Sequence, residues 1–314
     1  HYERLSDIDD SNVWLIGTNQ REIFGDLYDL GKKLGGCFGS FICICRRKSS
    51  SVSSSVKIIR KKEKTRRSKV DIKPCLEHLN ENVVRLFEIF ETPKQIILIQ
   101  ELTTGGDLFD RIVVMGHYSE RVAANAVRQI LNGLAALHKF GIVHNNLKPE
   151  NLLYADSSET APLKISDHCL STIFANEIIK QRMRDTPEYC APEMFDGRIT
   201  NSSLDIWSVG VITYILLCGY MPFQHNQRNM LFKQIMKGNF RFSTPAWDSI
   251  SENGKDFVKR LLSVDVYKRS TVRQALVHPW VRGIAAKHEY LEDTQRKIKE
   301  FNHRRKQSIH SSYQ

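Results

Sequence analysis

The sequence predicts an α+β fold of two unequal lobes, a small β-rich lobe followed by a larger α-helical one. Three observations predict it. Residues 27–100 are mostly strand-like, with alternating runs at 27–34 and 41–45, another at 56–59 and the stretch ILIQEL at 97–102. After Thr103-Thr104-Gly105-Gly106 the pattern turns helical: Val127, Ile130, Leu131, Leu134 and Leu137 recur at helical spacing and mark one long amphipathic helix. The longest apolar run, VGVITYILLCGYMPF, falls short of the ~18 residues a membrane span needs, so it reads as a buried helix and no span is expected.

These changes set the predicted boundaries: a polar lead-in at 1–26, an N-lobe at 27–101, a C-lobe at 102–282 and a basic tail at 283–314. The serine run at 49–55 reads as a hairpin turn. With 314 residues and 41% hydrophobic content, the chain can bury a sizeable core. Its seven cysteines are odd in number and lack paired metal-ligand spacing, which favours free thiols in a reducing cytoplasm or nucleus.

Lys and Arg number 46 against 35 Asp and Glu, a net charge of +11. Much of it lies in KIIRKKEKTRRSK at 57–69 and RKIKEFNHRRK at 296–306. Neither block has the interleaved aromatics that favour single-stranded nucleic acid, so the reading is solvated faces and an acidic protein partner, with no nucleic acid.

An ordered set of motifs carries the chemistry. LGGCFGSF at 34–41 follows the first strand, and Lys57 sits on a later one. IVHNNLKPEN at 142–151 follows the long helix, and Asp167-His168-Cys169 begins sixteen residues after Asn151. Ala191-Pro192-Glu193, Asp205-Ile206-Trp207 and Asp265-Val266-Tyr267-Lys268-Arg269 complete the series. Each is weak alone; in this order they resemble the protein kinase family and imply its bilobal fold. ETPKQIILIQELTTGGDLFDRIV and IWSVGVITYILLCGYMPF narrow the resemblance to the calcium/calmodulin-dependent protein kinases, type IV in particular.

The resemblance implies ATP and Mg as cofactors, a protein substrate or regulated partner, and a role for each matching position. Lys57 matches the lysine on the α- and β-phosphates, Asn151 and Asp167 the magnesium ligands, and Lys148 the catalytic-loop lysine. Gln100 falls at the gatekeeper position behind adenine with Glu101 next to it among the ATP-binding positions, and Asp107 at the acidic position near the ribose and basic substrate side chains. Glu193 and Arg269 match a buried structural ion pair, and Asp205 the residue supporting the catalytic loop.

Other positions depart from the family pattern. Asn146 stands where the catalytic aspartate belongs, with Asn145 in place of the neighbouring arginine. An amide cannot take the substrate hydroxyl's proton, although its oxygen can orient that hydroxyl. The glycine-rich loop fits two registers: one puts Gly35, Cys37 and Ser40 at the glycine positions, the other Leu34, Gly36 and Gly39. Either leaves a side chain where phosphate should come close.

Asp71 falls where a helical glutamate should meet Lys57. Pro74 then either interrupts that helix or opens it. His168-Cys169 replaces an apolar ring and a glycine, and Arg182 takes the place of the phosphorylated threonine, fifteen residues after Asp167. Thr186-Pro187-Glu188-Tyr189 puts a carboxylate in the loop that receives the substrate.

Tyr290 to Lys306 resembles the family's autoinhibitory helix, with Phe301 as an anchor. Calmodulin remains a candidate partner that the tail fits only in part, since Ile309 is the one aliphatic anchor after Arg305. The combined expectation is a calmodulin-kinase-like Ser/Thr kinase domain with impaired catalysis and a regulatory or scaffolding role. A slow active kinase and a nucleotide-independent adaptor are the alternatives.

Overall fold

The computed structural model describes residues 15–19, 22–37, 40–61, 69–77, 80–196 and 201–311. They divide into two compact units, one holding residues up to 80 together with 84–103, the other 81–83 together with 104 onward.

In the first unit, β1 (Leu15–Ile16) pairs in parallel with β5 (Val70–Asp71), and a single helical turn, α1 (Phe24–Leu27), leads into the main sheet. That sheet is antiparallel with the order β2-β3-β4-β7-β6, built from β2 (Tyr28–Cys37), β3 (Ser40–Arg47), β4 (Ser53–Arg60), β6 (Leu86–Glu91) and β7 (Gln95–Gln100). Its central strands bury Val56, Ile58 and Ile96 to Ile99, the β-branched and aliphatic residues that pack well on a pleated surface. Phe24 stacks on Tyr28 at 5.4 Å and meets Phe90 edge-on at 5.8 Å, closing one face of the core.

The serine run is shorter as a turn than its composition predicts. Ser53 to Ser55 belong to β4, where Ser54 and Ser55 are buried and pair with Cys45 and Ile44. The Ser55 hydroxyl donates to the carbonyls of Gln100 and Glu101 at 3.3 and 3.1 Å, which lets a polar residue sit in the sheet interior. Of the two readings for Pro74, the structure takes the second: α2 (Lys73–Glu77) begins just before it, and Asp71 lies outside the helix in β5.

The second unit is mainly helical. It contains α3 (Leu108–Val114), α4 (Glu120–Lys139), the hairpin β8 (Leu152–Tyr154) and β9 (Leu163–Ile165), then α5 (Leu170–Asp185), α6 (Pro192–Phe195) and α7 (Ser203–Cys218). There follow α8 (Arg228–Lys237), α9 (Glu252–Leu261), α10 (Val272–Leu276) and α11 (Glu292–Ser311). The α4 stripe from Val127 to Leu137 is buried, and Ser119 caps the helix. The apolar run forms α7, which is buried all round, and among the described residues no helix is long and apolar enough to cross a membrane.

The α7 helix ends at Gly219, whose φ is +78°. A Cβ there would overlap Lys297 and lie 3.2 Å from the Thr294 carbonyl, so this glycine allows α11 to approach closely.

Glu193 and Arg269 form a bidentate pair at 2.6 and 2.9 Å. The Arg269 guanidinium also donates to the Ser263 and Ser203 carbonyls and stacks over Trp207 at 5.0 Å. Because both partners are buried, losing one strands the other. Arg269→Met is expected to lower stability by about 3–5 kcal/mol, read as a falling urea midpoint. A loss below about 1 kcal/mol would show that the buried carboxylate is not stranded.

Candidate functional site

The first unit carries one set of predicted residues. Lys57 is buried on β4, opposite Ile42 on one side and Leu98 on the other. Gln100 ends β7, and Glu101 accepts from the Arg85 backbone N–H at 3.1 Å. Asp71 is exposed, and its carboxylate accepts the Lys73 N–H at 3.0 Å, a local bond at the start of α2.

Gly35 and Gly36 lie on β2. Gly36 has φ +150°, and a Cβ there would sit 2.5 Å from the Ser40 carbonyl oxygen, so this bend requires glycine. Gly39 and Phe38 lie outside the described residues, as do residues 62–68 of the first basic block and the side chain of Ile309.

In the second unit the loop from Ile142 to Asn151 is built on one carboxylate. Asp205, fully buried on α7, accepts the backbone N–H groups of His144 and Asn145 at 2.9 Å each and His138 Nε2 at 2.9 Å. Burial alone would raise its pKa. The His138 bond, with the charges and N–H donors around it, outweighs burial and holds the pKa below the ordinary value.

His144 Nδ1 accepts the Asn146 N–H at 3.2 Å, which leaves the proton on Nε2 to donate to the Ser166 carbonyl at 2.7 Å. A neutral ring is what this needs, and burial pushes the imidazole pKa down. Asn145 stands at φ 60°, a left-handed conformation that asparagine tolerates better than most residues.

The loop brings Asn146 and Asn151 together: Asn151 Nδ2 donates to the Asn146 carbonyl at 2.8 Å. With its nitrogen committed, the Asn151 side-chain oxygen is the atom left to meet a hard cation. Lys148 is half-buried and makes no ion pair among the described residues. Asp167, at φ 61°, also takes the left-handed conformation, three residues ahead of the first residue of α5. Cys169 has φ −78° and ψ −17°, an ordinary right-handed geometry, so this conformation makes no use of a glycine there.

The segment after Asp167 is helical, with a break at Phe174. Its last turn carries Arg182, which is 2% exposed. Arg182 Nη1 donates to the Asn145 carbonyl at 2.5 Å, and Nη2 to the Tyr189 carbonyl and to Ser208 Oγ, the latter at 2.7 Å. The side chain thus ties the catalytic loop, the segment around Tyr189 and α7 together. Thr186 ends α5, its N–H bonded to the Arg182 carbonyl at 2.9 Å. Glu188 is half-buried, and burial raises its pKa.

The end of α11 rests on carboxylates that sequence reasoning named only in part. Asp107 caps α3 through Oδ1, accepting from Phe109 and Asp110 N–H at 3.0 Å each, while its Oδ2 takes Arg305 at 2.5 Å. Arg305 also reaches Glu150 at 3.1 Å and lies over the Phe109 ring, which meets Phe301 edge-on at 5.6 Å. Asp110 takes Lys306 and, at 2.9 Å, Asn302. Asp110 and Glu150 were missed as tethers. The available signal was the three-residue step from Asp107 to Asp110, set against Asn302, Arg305 and Lys306 on one face of α11.

Residues 28–281 match the family profile described as protein kinase domain, and the chain belongs to that family. Among its relatives, calcium/calmodulin-dependent protein kinase type IV of Mus musculus is 44% identical over 296 residues, covering 94% of this chain and 63% of the relative. The Homo sapiens type IV protein is likewise 44% identical and 62% covered. Type 1B of Rattus norvegicus is 39% identical over 277 residues, with 87% of this chain and 80% of the relative covered. The chain therefore spans a little under two thirds of the type IV proteins it resembles.

Two outcomes are expected from this geometry. Arg182→Met removes the Arg182 donor from the Asn145 carbonyl and leaves the Tyr189 carbonyl with only the longer bond from Ser208 Oγ at 3.3 Å. It should cost about 1–3 kcal/mol in denaturant melts and speed amide hydrogen exchange in α5. For Asp110, burial works to raise the pKa, but the bonds from Lys306 and Asn302 outweigh it and hold the pKa below the ordinary value. The stabilisation is therefore present above about pH 4 and lost as pH falls through the lowered folded-state pKa. Exchange in α11 should accelerate in that acid window in the wild type and much less in Asp110→Asn.

Proposed function

We propose that the chain is a calcium/calmodulin-dependent-kinase-like domain that has lost regulated phosphoryl transfer, binds Mg-ATP weakly and acts as a regulatory or scaffolding module on a protein partner. The observation that carries this reading is Asn146: a fully braced catalytic loop presents an amide where a proton acceptor is needed. The amide oxygen can hold a substrate hydroxyl but cannot take its proton, and loss of a general base typically costs about 10² to 10⁴ in rate.

The nucleotide residues fit the group. Lys57 would hold the phosphates, while Asn151 and Asp167 offer hard oxygens for Mg. When bound, Mg-ATP would supply the phosphoryl group and part of the charge neutralisation. Gly36 preserves one close turn in the glycine-rich strand, while Leu34 adds a side chain beside it, which supports weak rather than abolished affinity.

The tail supports the regulatory half of the proposal. Asp107, which the resemblance assigns to basic substrate side chains, is held by Arg305, so α11 stands where such a side chain would bind. Calmodulin is a candidate for lifting this helix, because the Phe301 anchor is packed on Phe109 and becomes available only when α11 leaves. The retained set of Lys57, Lys148, Asn151 and Asp167 favours a second reading, a slow Ser/Thr kinase.

A thermal-shift titration with Mg-ATP, run beside a radiolabelled phosphorylation assay, separates the readings. A shift without label supports the proposal, label lost in Lys57→Ala supports the slow kinase, and neither supports a nucleotide-independent adaptor. Asn146→Asp is expected to raise turnover only partway, because Asp71, His168, Cys169 and Arg182 remain. Full activity at the level of an active relative in that single variant would overturn the proposal.

A further inference from the structure

On the second unit, a cleft of about 460 Å³ lies against the first half of α4 and the segment after α10. Arg121, Arg128 and Arg282 line it, together with His117 and His288. Among the described residues its lining contains no carboxylate, and none of the three arginines makes an ion pair. Arg128 donates to Asn125 at 2.7 Å, Arg121 contacts the His288 ring, and His117 bonds the His288 carbonyl at 3.0 Å. Among the described residues the cleft lining thus offers these arginines no carboxylate partner.

Met115, Val122 and Val281 supply apolar surface in the same lining. A second cavity of about 360 Å³ adjoins the first, with Met115, Val122, Asn125 and Arg128 in both linings. That second cavity also carries Glu81, Glu159 and Arg111, so carboxylates enter its lining but not that of the first.

We propose that the arginine-lined groove docks an acidic, leucine-punctuated segment of a protein partner, with its carboxylates on Arg121 and Arg282 and its apolar side chains against Met115 and Val122. Three unpaired guanidinium groups match carboxylates in charge and in bidentate geometry. The alternation of cation and apolar surface suits a peptide better than a nucleic acid, which would need aromatic faces for its bases. The groove is separate from the carboxylates that hold Arg305, so a partner could occupy it while α11 stays in place.

Fluorescence anisotropy on the whole chain tests this, with a labelled glutamate-rich peptide punctuated by leucines as probe. A lysine-for-glutamate version and a single-stranded oligodeoxynucleotide of equal charge serve as comparisons. The glutamate probe is expected to bind in preference to both. Arg121→Glu with Arg282→Glu should weaken it at least about tenfold, whereas Arg121→Lys with Arg282→Lys retains part of the binding. Both positions are exposed, so the thermal melt should be little changed. If the reversed pair unfolds, Arg121→Gln with Arg282→Gln should give the same loss. The proposal is overturned if the glutamate probe fails to bind, if the charge-altered variants bind it as well as the wild type does, or if the lysine peptide or the oligonucleotide binds as tightly.

Discussion

The buried carboxylate of Asp205 is the constraint on which the catalytic loop depends. It has no access to solvent, and it meets two loop N–H groups and the His138 ring. A carboxylate so placed would be costly without these donors; with them it fixes where the chain turns at His144 and Asn145. The next residues inherit that position: Asn146 through the His144 ring, and Asn151 through the Asn146 carbonyl. The loop is therefore held from α7, a helix buried on every side, and its geometry does not depend on whether residue 146 is an acid or an amide.

The same loop receives a second brace from Arg182. In the family pattern, the cation beside the catalytic residue and the phosphate on the activation segment attract each other, and the phosphate has to be added. Here the cation is on the segment, and it binds main-chain carbonyls that are always present. The coupling between loop and segment is thus built into the unmodified chain. It also anchors the last turn of α5, where Arg182 lies.

Much of this was legible in the sequence, and the exceptions have physical reasons. The α4 stripe and the apolar α7 follow from periodicity, and the positions of Asp205, Glu193 and Arg269 from motif order. That residue 182 is an arginine fifteen positions after Asp167 is plain in the sequence. The three acceptors of Arg182 are not, because they come from three separate stretches of chain that only folding brings within reach. The helix α5 was hidden because its apolar residues, Leu170, Ile173, Ile178, Ile179 and Met183, form no clean stripe across the break at Phe174. Serine composition pointed to a turn at 53–55, but pairing on both sides of β4 overrode local preference. The Asp110 contacts join residues 192 and 196 positions apart, and the Glu150 contact with Arg305 joins residues about 155 apart, beyond any local pattern.

Asp107 is fixed before Arg305 arrives, because its other oxygen caps α3. The tail therefore meets a carboxylate already oriented, and it does so as part of the same molecule. Tethering of this kind presents Arg305 at an effective concentration that can reach the millimolar range. Any separate basic side chain reaching Asp107 must compete with that local concentration. Access is therefore decided less by how tightly a competitor binds than by whatever lifts α11 away.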